Sequence, residues 1–210
     1  MSSPPGMTVD AILERSRRLG FLGSGSVRVH VEHALGFTRG IVAPPARLLD
    51  LGSGGGVPGL VLALHWTETV TVLLDASERR CAFLTEAVAS LGCRDRVTVV
   101  RSRAEQAGRR DDLRGHFDAV VARGFGPPAV TAECGAPFLA VGGHLVVSEP
   151  PGSGHTVDEG RWPQAGLALV GLRADRAWER PYHYRSFVQE RACPPAYPRR
   201  DGVPGRRPLF

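Results

Sequence analysis

The chain has 210 residues, 42% of them hydrophobic and 22% charged, enough apolar side chain for one full-sized domain and too much for the disordered or fibrous classes. All 26 basic residues are arginines, so the net charge of +5 is carried without a single lysine. This excludes phosphate-loop lysine and Schiff-base chemistry, pyridoxal phosphate included, because each needs a primary amine.

Residues 1–46 open with a Ser/Pro/Gly-rich stretch and then offer two helices, at about 9–19 and 27–35, as an N-terminal helical extension. From Arg47 to Pro150 short apolar runs alternate with helical patterns, the signature of βαβ units around a parallel sheet. The runs at 48–51, 70–75, 97–100, 117–122 and 144–148 are nearly continuous, as expected of strands covered on both faces. Between the second and third, Ser77 is placed to cap a helix whose apolar face is Phe83, Leu84, Ala87, Val88 and Leu91, and Gly92 stops it. Residues 151–165 read as a loop and short helix, 167–172 and 185–189 as two late strands. The tail from Pro194 to Phe210 holds five prolines and no periodicity. The expected architecture is an α/β, Rossmann-like, doubly wound and mostly parallel sheet, with units at 1–46, 47–193 and 194–210.

No apolar run of signal-peptide or membrane-spanning length occurs, so a cytoplasmic protein without membrane association is expected. Cys81, Cys93, Cys134 and Cys193 contain no C-x-x-C pair and fit neither a zinc site nor a disulfide framework. They are expected to be reduced, with two partly buried, and no metal is expected.

The most informative stretch is Asp50-Leu51-Gly52-Ser53-Gly54-Gly55-Gly56-Val57-Pro58-Gly59, at the carboxyl end of the first strand. There glycines let a nucleotide-like ligand approach the backbone. Gly54-x-Gly56-x-x-Gly59 has the letters of a dinucleotide loop, but the tight turn after the strand is Gly52, and the sixth position from Gly52 is Val57. Read from Asp50, the pattern acidic-x-Gly-x-Gly-x-Gly is complete and resembles motif I of class I S-adenosylmethionine-dependent methyltransferases. Asp50 is then expected near the amino-acid end and sulfonium of the cofactor, where a pyrophosphate would be repelled. Asp75, ending the second strand, either accepts hydrogen bonds from ribose hydroxyls or caps the following helix; the ligand role is favoured.

A closer resemblance rests on several strings: the glycine loop with its Pro58-Gly59, Leu73-Leu74-Asp75-Ala76-Ser77-x-x-Arg80-x-x-Phe83-Leu84, Arg101-Ser102-Arg103-Ala104-Glu105, Phe117-Asp118-Ala119-Val120-Val121-Ala122-Arg123-Gly124-Phe125, and Tyr197-Pro198-Arg199-Arg200-x-Gly202-x-Pro204-x-x-Arg207-Pro208-Leu209. Together they resemble the RsmG (GidB) family of 16S ribosomal RNA guanine-N7 methyltransferases. The resemblance implies that Gly52, Gly54 and Val57 contact S-adenosylmethionine at the first loop. It also implies that Asp75 holds the ribose, that Ala104 and Glu105 meet the adenine end, and that Arg123 stands in the cofactor pocket. Without it, Glu105 reads as a cap or surface carboxylate and Arg123 as a solvated strand-end charge. The implied partner is 16S rRNA or the 30S subunit, with a monomer favoured.

Guanine N7 carries a lone pair and no proton, so holding the base in line is the main task. In keeping with this, no Ser/His/Asp or Cys/His constellation and no Asn-Pro-Pro-Tyr motif is found, and no catalytic residue is assigned. The seven histidines are scattered, most of them expected at the surface or at strand ends. Five arginines and one aspartate in residues 191–210 carry +4 of the net charge, as a mobile tail suited to phosphate contact. Tyr182, Tyr184 and Phe187 are candidates for stacking a base, with core burial the favoured reading of Phe187. Three positions depart from the family pattern: Gly36 stands where aspartate is usual, Gly55 replaces alanine or proline, and the segment after Glu149 lacks a lysine-glycine pair. A class I methyltransferase acting on a small molecule, and a cofactor-binding protein without transfer, are the alternatives.

Overall fold

The computed structural model describes residues 7–150, 160–180 and 182–210. The opening residues 1–6, His155 and most of the loop expected after Pro150 lie outside them. In chain order the elements are α1 (Val9–Arg18), α2 (Val27–Gly36), β1 (Arg47–Leu51), α3 (Gly59–His65), β2 (Val70–Asp75), α4 (Glu78–Ser90), β3 (Val97–Arg101), α5 (Ala104–Ala107), β4 (Phe117–Ala122), α6 (Pro128–Gly135), β5 (Leu139–Glu149), α7 (Gln164–Leu169), β6 (Leu172–Trp178), β7 (His183–Gln189) and α8 (Val203–Arg206).

The strands form one sheet in the order β3-β2-β1-β4-β5-β7-β6. Pairing is parallel from β3 through β5, while β7 runs antiparallel to both β5 and β6. Because strand order reverses between β1 and β4, the loops at their carboxyl ends diverge and leave a crevice. Alternation along β1 sends Leu49 and Leu51 into a core with Val72, Leu74, Phe138 and Phe187, and sends Leu48 to the opposite face with Val121, Val146 and Tyr184. The Ser77 side chain accepts a hydrogen bond from Arg80 N–H to open α4, and Gly92 follows the helix at φ +66°.

One late element differs from expectation. Residues 167–172 are not a strand: Leu167 and Leu169 belong to α7, and β6 begins only at Leu172, past a turn at Gly171 with φ +84°. A short apolar run does not carry its own period, and here packing decides, since a Cβ on Gly166 would meet the Phe210 ring at 2.1 Å. All four cysteines are free and buried, where only two were expected to be.

The tail is not a mobile arm. Glu133, fully buried on α6, accepts hydrogen bonds from Arg199 N and Nε on Oε1, both at 2.8 Å, and from Arg199 Nη2 on Oε2 at 2.6 Å. Arg109 and Arg114 donate to the carbonyls of Pro198, Tyr197, Cys193 and Pro194. Removing one partner of a buried ion pair strands the other, at about 3–5 kcal/mol, more than the pair itself contributes. Arg199→Met is therefore expected to cost about 3 kcal/mol of stability in urea denaturation. Glu133→Leu combined with Arg199→Met is expected to recover most of that loss; equal destabilisation of the single and double variants would show that stranding Glu133 is not its source.

Candidate functional site

A cavity of about 340 Å³ opens at the crevice, within the range of small-molecule sites. Gly52 of the glycine loop, Asp75 at the end of β2, Ala104 and Glu105 after β3, and Gly124 and Phe125 after β4 line it. Gly52 sits at φ +73°, and a Cβ there would come within 2.7 Å of the Phe125 ring, so glycine is required for two reasons.

Asp75 is buried at the cavity wall. Its Oδ2 accepts Gly54 N–H at 2.9 Å and its Oδ1 accepts Ser77 N–H at 2.8 Å, with Arg80 Nη1 3.5 Å from Oδ2. Two of about four lone-pair directions are thus committed, and the remainder can accept ligand hydroxyls. The cap of α4 belongs to Ser77 rather than to Asp75. Glu105 accepts Gly202 N–H at 2.9 Å and Arg103 Nη2 at 3.1 Å. Burial pushes its carboxyl up, but the hydrogen bonds from Gly202, its own amide and Arg103 outweigh this and hold it below the usual carboxylate range.

The other expected residues stand elsewhere. Gly54 does not line the cavity and acts through its hydrogen bond to Asp75. Val57 points into the cluster of Leu13, Ala34 and Val61 beneath the N-terminal helices. Arg123 lines a neighbouring cavity of about 330 Å³, which shares Gly124 and Phe125 with the first and is bounded further by Thr131, Glu149 and Trp162. Glu149 there accepts Arg161 Nε and Trp162 Nε1. Tyr184 and Phe187 are buried, which leaves Tyr182, half-buried and 4.6 Å from the His33 ring, as the one available to stack. His30 is buried rather than at the surface.

Gly202 and Gly205 of the tail also line the first cavity, which no local signal gave away; only the family-like string through Gly202 and Pro204 marked that stretch. Among the described residues, no group of three or more His, Cys, Asp or Glu is placed to hold a metal, and no helix is long and apolar enough to cross a membrane.

Asp50 does not face the ligand cavity, contrary to expectation. It is fully buried under the loop, and its Oδ2 accepts Gly59 N–H, the first amide of α3, at 2.9 Å. A Cβ on Gly59 would stand 2.4 Å from that oxygen, which explains the glycine. Because a carboxylate already occupies the amide that would serve a pyrophosphate, the dinucleotide reading loses its anchor. Burial pushes the Asp50 carboxyl up to about 7, against the lowering effect of the Gly59 amide. Its pKa is raised on folding from 3.8, so the stabilisation from proton uptake is full below pH 3.8 and is lost as pH rises through about 7. Asp50→Asn keeps the acceptor and removes the titration. Urea melts from pH 4 to 8 should show the wild type losing stability relative to this variant as pH rises; parallel profiles would place the Asp50 pKa near its ordinary value.

The sequence model of the family described as GidB, rRNA small subunit methyltransferase G, matches residues 28–149. The ribosomal RNA small subunit methyltransferase G of Moorella thermoacetica is 33% identical over 177 residues, covering 80% of this chain and 71% of that protein. Its namesake from Rubrobacter xylanophilus is 33% identical over 213 residues, covering 94% and 80%. Among solved structures, an O-methyltransferase from Bacillus cereus in complex with SAH aligns with a TM-score of 0.58 at 15% identity, over 87% of this chain and 92% of that one, a likeness of fold. With a family model spanning β1 to β5 and relatives matched over most of both lengths, the chain belongs to the rRNA small subunit methyltransferase G family.

Proposed function

We propose that this protein transfers a methyl group from S-adenosylmethionine to N7 of a guanine in 16S rRNA. The observation that carries the reading is the cavity at the strand-order reversal, where Asp75 is fixed by two backbone amides and keeps lone pairs for a ribose. The residues fit the cofactor: Gly52 leaves backbone bare against Phe125, Asp75 and Glu105 supply acceptors, and Ala104 offers a small apolar wall. Bound there, S-adenosylmethionine supplies an electrophilic methyl group on a sulfonium.

The neighbouring cavity lies across Gly124 and Phe125 and is where the acceptor base enters. Guanine N7 needs no proton removed, so these walls have to orient the base and exclude water rather than act as a base catalyst. Three tail arginines, Arg200, Arg206 and Arg207, stay exposed beside the cofactor cavity for RNA phosphates, while Arg191 and Arg199 are spent on internal contacts.

Two measurements test this. Purified protein, labelled methyl donor and 30S subunits from a strain lacking the endogenous activity should place label at a guanine N7 of 16S rRNA. Label found only in a small metabolite would overturn the RNA reading. By calorimetry, Asp75→Asn should weaken S-adenosylmethionine by roughly 10- to 100-fold, the cost of losing charge-assisted hydrogen bonds. Unchanged affinity would leave Asp75 with its loop-holding role alone.

A further inference from the structure

Arg123 at the end of β4 is an unusual cation. It is half-buried, and burial lowers its pKa. Among the described residues no carboxylate lies within ion-pair distance of it, and its one hydrogen bond runs from Nη2 to His30 Nδ1 at 3.1 Å. The other ring nitrogen of His30, Nε2, lies 3.2 Å from the Gly23 carbonyl oxygen in the turn between α1 and α2.

These two contacts fix the ring chemically. A guanidinium can only donate, so Nδ1 must present a lone pair; a carbonyl can only accept, so Nε2 must carry the hydrogen. We propose that His30, as the neutral, Nε2-protonated tautomer, is a positioning residue that holds the Arg123 guanidinium beside the second cavity. Four of the five N–H groups of Arg123 are then left for an acceptor or anionic group of a bound ligand. A proton on Nδ1 would remove the acceptor and set two cations about 3 Å apart.

The surroundings keep the ring neutral. Burial and Arg123 both hold its pKa below 6.5, with Arg17 on α1 adding to them. His33, one turn along α2, is itself pushed down to about 4 by burial, so it stays uncharged near neutrality. Acidification therefore breaks the clamp only as pH falls below 6.5. Asp50, whose field reaches Arg123, titrates in an overlapping range, so the wild-type profile alone does not isolate His30.

The inference rests on the proposed function only in assigning Arg123 a ligand; the clamp itself is read without activity. In the full chain labelled with 15N-histidine and 15N-arginine, long-range nitrogen–proton correlation at pH 7.5 should show His30 protonated on Nε2. Slowly exchanging Arg123 guanidinium protons should accompany it. His30→Gln, whose amide can accept from Arg123 and donate to Gly23, should keep those protons; His30→Leu should lose them. With 30S subunits, His30→Leu should lower kcat/KM roughly 10-fold at pH 7.5, the scale of one charged hydrogen bond, and His30→Gln should recover most of that. Between pH 7.5 and 5.5 the glutamine variant should fall less than the wild type. An Nδ1-protonated or imidazolium ring at pH 7.5, or a glutamine variant no better than leucine in the nitrogen spectra, would overturn the clamp. A wild type that shows the expected spectra but leaves 30S subunits unlabelled supports the clamp and refutes the RNA reading instead.

Discussion

The hydrogen bond from Gly59 N–H to the buried Asp50 carboxylate ties the end of β1 to the start of α3 across the whole glycine loop. Pro58 at the cap position makes no side-chain hydrogen bond, so α3 depends on this distant acceptor for its first amide. The loop between is closed from the other side as well: Gly52 and Ser53 N–H groups both donate to Leu74 O at 2.9 Å, and Gly54 donates to Asp75. The backbone is therefore set before any ligand arrives, which limits the ordering cost of binding. The cost lies in a carboxyl group kept in a fully buried place, where burial pushes its pKa up to about 7.

Two segments outside the nucleotide-binding core complete the site. The N-terminal extension lies over the loop, with Ser16 Oγ donating to Gly55 O at 2.9 Å; a Cβ on Gly55 would meet that oxygen at 2.5 Å and Phe21 O at 2.7 Å. The family's alanine or proline would not fit under this helix. Gly36 has a similar cause, because Tyr184 packs where a side chain would go, 2.1 Å from an added Cβ, and donates its hydroxyl to His33 O. On the far side the tail closes the cavity through Gly202, held by Glu105. Two departures from the family pattern are thus consequences of close packing by neighbouring elements.

An all-arginine complement shapes the electrostatics. Guanidinium groups reach several carbonyls at once, and Arg114 uses this to gather four backbone oxygens between Gly108 and Tyr197. The tail's charge is divided in the same way: Arg191 and Arg199 hold it down, and Arg200, Arg206 and Arg207 at its edge stay exposed. Arg123 is the exception, half-buried with no carboxylate in ion-pair distance among the described residues, and held by an imidazole.

Much was legible in the sequence because its causes are local. Apolar runs fixed β1 to β5, Ser77 and Gly92 bounded α4, and the spacing of Asp50, the glycines and Asp75 located the crevice, since each depends on backbone geometry within a few residues. The destinations of individual side chains depended on what came to lie against them. Asp50 turned under the loop because Gly59 offered an amide there, Val57 turned into a cluster supplied by α1 and α2, and α7 replaced an expected strand where Phe210 covers Gly166. The tail folded into the cavity wall as Arg199 paired with the buried Glu133, 66 residues earlier in the chain, and as Gly202 donated to Glu105. The sequence by itself determined the fold class and the place of the crevice, through periodicity and glycine spacing; only the tertiary structure decided which charges line that crevice, because burial and pairing arise between segments far apart in the chain.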